Sequence, residues 1–271
     1  MLTFLAYMYK KGMSHSSMNL YLSAIRNMNI LNGHVMPGSR APRIKLLLKA
    51  VFESSKQPTQ KDPITWDILI KLWPAISVCK DSSMWQALIS LAFFGSMRVS
   101  EYAPDSGNGI PPSIANVTFS SNGSVLHYRV PRSKTSAHGF VCVLACSHSH
   151  ICALCCMVSY LGLRSISQKV SQNSPLFVDS NNQAIGSSKV NRFIKSIVKS
   201  IGLDDSKFSA HSIRAGAATT AAQAGFADWE LKRLGGWKSS TYTTYIRNSP
   251  NHTLANSRRL ARGGNMLGPT S

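Results

Sequence analysis

One stretch limits the fold more than any other. Residues 114–134, "IANVTFSSNGSVLHYRVPRSK", alternate apolar and polar positions about an Asn-Gly pair. That alternation predicts a β-hairpin, because Asn and Gly accept the positive φ angles of a tight hairpin turn. "GFVCVL", residues 139–144, predicts one more strand close behind. Almost everywhere else the apolar residues step at three-four spacing, the period of a helix with one buried face. The expected fold is therefore mainly α with a small antiparallel β-sheet, an α+β arrangement.

The helical pattern begins at once. Residues 1–12 and about 15–32 predict two helices, with Met18, Tyr21, Leu22, Ile25 and Met28 on the apolar stripe of the second. Ser14 to Ser17 supply caps and Gly33 a stop. After "NGHVMPGSRAPR" a third helix carries Leu46, Leu47, Val51 and Phe52. The polar, proline-bearing "SSKQPTQKDP" then reads as an interdomain linker. This predicts a small helical domain over residues 1–58 and a larger one over 59–271. In the larger domain, residues 82–94 predict an apolar helix ending at Gly95, and beyond about 150 the pattern is helical apart from "PLFVD".

Charge narrows the partner. The chain has 271 residues with 30 Lys and Arg against 11 Asp and Glu, a formal net charge of +19. No acid precedes Glu53, none lies between Asp105 and Asp179, and none follows Glu230. Stretches so one-sided repel themselves and are best explained by a polyanion, first of all nucleic acid. An anionic membrane ranks second, but no strongly basic amphipathic helix supports it. The bland alternative is a ribosomal-type basic protein. No apolar run approaches eighteen residues, and "MLTFLAYMYKKG" is too short and polar to span a bilayer and lacks the basic start of a secretory signal. An intracellular protein with no membrane partner and no small-molecule substrate is expected.

Five of the six cysteines crowd into "CVLACSHSHICALCC", residues 142–156, with His148 and His150 between them. Cys152 and Cys155 have C-x-x-C spacing, but no second such pair or H-x-x-x-H lies at finger distance. The segment also reads as the start of an ordinary amphipathic helix. The expectation is reduced thiols, with no metal and no cofactor.

Four places hold polar groups beside apolar stretches. Arg98 follows the apolar helix, with Glu101 three residues on; Lys134 follows the hairpin strand. His211 and Arg214 open the alanine-rich "HSIRAGAATTAAQAG", and Trp237 and Tyr245 lie in "LGGWKSSTYTTYIR". Singly each has an ordinary reading, such as a surface ion pair for Arg98 and Glu101 or a helix cap for His211. Together they form a set of cationic and N–H donors without paired carboxylates. Such a set stabilises the charge that grows on a phosphodiester under attack. Arginine suits the task because its fork meets two phosphate oxygens at once. The scarcity of clustered acids argues against a two-metal nuclease. A side-chain nucleophile is then expected, with Tyr245 the natural candidate and Tyr242 its rival.

The order Arg98, Lys134, His211-x-x-Arg214, Trp237, Tyr245 resembles the tyrosine recombinase, or phage integrase, family. The likeness runs from "MNLYLSAIRNMNILNG" to the nucleophile segment, and it is strongest to the eukaryotic members carried by DIRS-like and Ngaro-like retrotransposons and Cryptons. The resemblance implies that Arg98 and Arg214 clamp the scissile phosphate of double-stranded DNA, and that His211 assists. It implies Lys134 as general acid and Tyr245 as the nucleophile forming a 3′-phosphotyrosine link, with neither metal nor ATP. Trp237 stands where many relatives have histidine, and Glu101 would orient Arg98 or the hairpin. The family further implies a helical DNA-clamping domain over 1–58 (here short, as in a truncated chain), a catalytic domain over 59–271, assembly as a tetramer on paired sites, and a nuclear location. A transposon remnant that grips DNA without cutting it, and a type IB topoisomerase, are the competing expectations.

Overall fold

A computed structural model describes residues 1–34, 42–54, 60–105, 107, 110–133, 136, 138–167, 170–237 and 239–246. The chain divides into two compact units, Met1–Thr59 and Gln60–Ser271.

The first unit contains α1 (Leu2–Lys10), α2 (His15–Leu31) and α3 (Pro42–Ser54). Ser14 caps α2 by accepting the Ser17 N–H at 3.2 Å, which satisfies one of the free donors of the first turn. Leu5, Met8, Met18, Leu22, Ile44 and Val51 form its core. That core is narrower than the sequence pattern suggests. Tyr21, Met28, Leu46 and Phe52, expected on buried stripes, are exposed. Three short helices share a thin seam, and so few residues cannot enclose a wide one.

The second unit is built around α5 (Ser82–Phe94), buried along nearly its whole length and packed against α4 (Trp66–Val78), α7 (Ala153–Ser167) and α9 (His211–Gln223). Its C-terminus is followed by the short α6 (Val99–Tyr102). Strands β1 (Val117–Phe119), β2 (Val125–Val130) and β3 (Phe140–Ala145) form an antiparallel sheet in the order β1-β2-β3. Val117 pairs with Tyr128 and Tyr128 with Cys142. In that register Leu126, Tyr128 and Val130 face the core, while Val141 and Val143 of β3 face out. The helices α8 (Ser187–Ser200) and α10 (Asp228–Leu234) complete the unit, with a short 3₁₀ turn at Ser240–Thr244. The observed fold is the expected one: mostly helical, with a small antiparallel sheet. Among the described residues no helix is long and apolar enough to cross a membrane.

Candidate active site

The helix α9 is a core helix despite its polar opening. Ala215, Ala217 and Ala218 are buried, and their small side chains let neighbouring backbone approach closely. The closest approach is at Gly216, where an added Cβ would lie 1.7 Å from the Ile64 carbonyl oxygen. The extended segment beside it is held by two hydrogen bonds. The Ile64 N–H donates to the Ser212 carbonyl at 2.8 Å, and the Trp66 N–H to Thr220 Oγ1 at 3.0 Å.

Arg214 projects from this helix and is 1% exposed. Its Nη1 donates to the Ser96 carbonyl, and its Nη2 to the Gly235 carbonyl at 2.7 Å. The guanidinium carbon lies 4.2 Å from the ring centroid of Trp237, a cation–π stack. Burial and then the charge of Arg98 pull its pKa down to about 10, with Glu101 and Tyr245 acting the other way. It therefore stays charged at neutral pH. Both carbonyl partners are held in place by their surroundings. Ser96 sits at φ 45°, just past the end of α5, and Gly235 packs so tightly that a Cβ would meet the Trp237 ring at 2.1 Å.

Arg98 stands at the N-cap of α6, two residues beyond Ser96. Glu101 grips it twice: one carboxylate oxygen accepts the Arg98 N–H at 2.8 Å, the other accepts Nη1 at 2.8 Å. The Glu101 side chain is 1% exposed and that of Arg98 20%. The ordinary surface ion pair is thus replaced by a buried carboxylate that aims a partly exposed guanidinium. Tyr128 ties this turn to the sheet by donating from its hydroxyl to the Glu101 carbonyl at 2.8 Å.

His211 is the first residue of α9 and makes no cap; Ala210 holds the N-cap position. The residue as a whole keeps contact with solvent. Crowding by protein, then the charges of Arg214 and Arg98, hold its pKa below the ordinary histidine value. The ring centroid lies 5.0 Å from that of Tyr245, which in turn lies 5.8 Å from Trp237. Thr219 of α9 fixes the segment by donating to the Tyr245 carbonyl at 2.9 Å, and Gln60 donates to the Thr244 carbonyl at 2.8 Å.

The two tyrosines differ sharply. Tyr242 is buried beside Trp237 and Leu231, and its hydroxyl donates to the Asp228 carboxylate, which raises its pKa. Tyr245 is half-buried beside the arginine and the histidine.

Arg98, His211, Arg214, Trp237 and Tyr245 are thus brought together, with Glu101 behind Arg98. Lys134 and the tail from residue 247 lie outside the described residues. Sequence reasoning missed Ser96, Gly216 and Gly235, which act through backbone or packing, and Thr219, which acts through its hydroxyl. Only the glycines left a trace, inside "HSIRAGAATT" and "LGGW". Away from this site, the sulfurs of Cys146, Cys152 and Cys155 lie within 4.8 Å of one another. The third sulfur, that of Cys146, comes from just past the end of β3, where a search for a second C-x-x-C or H-x-x-x-H does not look.

Residues 128–252 match the phage integrase family. No curated protein matches the sequence. Among solved structures, the Tn1549 transposon integrase in complex with transposon right end DNA is 14% identical, with 96% of this chain covering 84% of that one at a TM-score of 0.62. XerA recombinase is 19% identical, with coverage of 94% and 79% and a TM-score of 0.54. XerH site-specific recombinase bound to its difH substrate is 16% identical, with coverage of 96% and 72% and a TM-score of 0.56. The fold is that of the tyrosine recombinase catalytic domain.

Proposed function

We propose that this chain is a tyrosine recombinase that cleaves and rejoins double-stranded DNA through a 3′-phosphotyrosine intermediate. The observation that carries the reading is the convergence of two arginines, a histidine and an indole on the half-buried phenol of Tyr245. Arg98 and Arg214 offer fixed positive charge to the non-bridging oxygens of a phosphodiester, in a site where the donors are already oriented. Neutral His211 can accept the phenol proton or donate to a phosphate oxygen. The Tyr245 oxygen attacks phosphorus, the P–O5′ bond breaks, and the leaving 5′ oxygen takes a proton from Lys134, the general acid implied by motif order. The phosphodiester bond is exchanged for a phosphotyrosine bond, so the reverse attack by a 5′-hydroxyl reseals DNA without an energy source. The Glu101 carboxylate is committed to Arg98, which leaves it ill placed to hold a catalytic cation.

In this reading residues 1–58 form the helical DNA clamp and 59–271 the catalytic domain, and protomers assemble as a tetramer on paired sites. The motif resemblance to the eukaryotic transposon recombinases suggests a mobile-element origin and work in the nucleus. The test is to mix the protein with a library of supercoiled plasmids in EDTA and quench with SDS. Nicked DNA linked covalently to a peptide containing modified Tyr245 is the expected product. A link at Tyr242, or cleavage that requires a divalent metal, would overturn the assignment. Salt-sensitive binding with no adduct across the library would favour a remnant that only grips DNA.

A further inference from the structure

The cysteine cluster plays no part in the site above, and its geometry is specific. From Cys146 Sγ the distance is 3.7 Å to Cys155 Sγ, 3.8 Å to Cys152 Sγ and 3.7 Å to His148 Nδ1. A tetrahedral zinc ion with Zn–S bonds of ~2.3 Å separates two sulfurs by ~3.8 Å, and a sulfur from an imidazole nitrogen by ~3.6 Å. The two sulfur–sulfur distances match edges of such a tetrahedron; His148 Nδ1 stands at ligand spacing from Cys146, while the set lying mutually within 4.8 Å is the three cysteines. A disulfide, with its S–S bond of ~2.05 Å, would leave a third thiol unused.

The backbone around the cluster is shaped to keep these groups together. His148 takes a left-handed φ of 52°, unusual for a residue with a side chain, and so turns the chain between β3 and α7 back on itself. The Ser147 N–H donates to Cys152 Sγ at 3.4 Å. The thiolate is the form that binds metal.

We propose that Cys146, Cys152 and Cys155 bind one structural zinc ion, with the His148 ring turning in from beside Cys146 as the fourth ligand. The ion ties the end of β3 to the first turn of α7. Its consequence is mechanical: β3 is the return strand of the hairpin whose connecting segment, residues 131–139, contains Lys134. A clamp at the far end of β3 holds the strand register against β2. Binding releases thiol protons and adds stability that the apo-protein lacks.

The test uses the full chain purified from zinc-supplemented cells. One zinc per chain by elemental analysis is expected, and cobalt exchanged into the site should show thiolate-to-metal charge transfer with the intense visible bands of tetrahedral coordination. Cys155 is exposed, so Cys155→Ser should fold normally by circular dichroism yet lose those bands. Cys79→Ser and His150→Ala should keep them. His148→Ala should retain cobalt with a shifted spectrum, as water replaces the imidazole. Should Cys155→Ser fail to fold, thiol titration of the native chain decides instead, with three cysteines becoming reactive only when a chelator is added. Substoichiometric zinc, cobalt bands that survive Cys155→Ser, a spectrum unmoved by His148→Ala, or thiols equally reactive with and without chelator would each overturn the proposal.

Discussion

Glu101→Gln tests whether the site is built as its geometry indicates. In a chain of net charge +19 a buried carboxylate needs a reason, and here both oxygens serve Arg98. Removing one partner of a fully buried ion pair costs about 3–5 kcal/mol. Arg98 is one-fifth exposed and keeps some water, and the glutamine oxygen still accepts one of the two bonds. A loss of about 2 kcal/mol is the reasonable remainder. At roughly 2–4 °C per kcal/mol for a domain of this size, the melting temperature should fall by about 4–8 °C. Complete loss of one donor to the developing phosphate charge costs about 10²–10³ in rate. Here Arg98 remains but is free to swing, so adduct formation at saturating DNA should slow by about 10–100-fold. DNA affinity should hold or rise slightly, because the substitution removes a negative charge. The assays are a thermal melt, a salt-titrated binding curve and a time course of SDS-trapped adduct. A variant that melts and cleaves like the parent would refute the positioning role of Glu101. So would a slower adduct accounted for entirely by weaker binding.

Three other outcomes follow from particular contacts. Gly216→Ala places a methyl 1.7 Å from the Ile64 oxygen and should destabilise by about 3 kcal/mol, the upper end of ordinary overpacking, measured by denaturant unfolding. Tyr242→Phe loses only the hydrogen bond to Asp228, a carboxylate 55% exposed, so it should cost about 1 kcal/mol and still form adduct, whereas Tyr245→Phe should melt normally, bind DNA and form none. The pKa of His211 lies below the unfolded value of 6.5, so the unfolded chain binds its proton first as pH falls. Its stability contribution is complete above about 6.5 and is lost through the window beneath. Melting of His211→Gln should therefore vary less with pH in that window, and an NMR titration of the wild-type ring should show a midpoint that rises when DNA phosphate is bound.

The local periods of the sequence determined the elements. The Asn-Gly alternation at 122–123 is a β1-β2 hairpin because backbone twist and side-chain alternation are local properties, and the apolar run at 82–94 is α5 for the same reason. Chemistry-bearing residues were legible because a guanidinium, an imidazole and a phenol beside apolar stretches are conspicuous by type. What burial would do to them was not. Arg214 became a core residue, and Glu101 a buried positioning group, because chain segments far apart in sequence meet around them. Ser96 and Gly235 matter through their carbonyls, and no side-chain pattern announces a carbonyl. The stripe of α2 misled for the converse reason: Tyr21 and Met28 have the period of a buried face, but the three helices supply too little partner surface to cover them. The cysteines show the same division. The spacing of Cys152 and Cys155 is written in the chain, whereas the approach of Cys146 depends on where β3 ends and how His148 turns the backbone, and only the tertiary structure decides that.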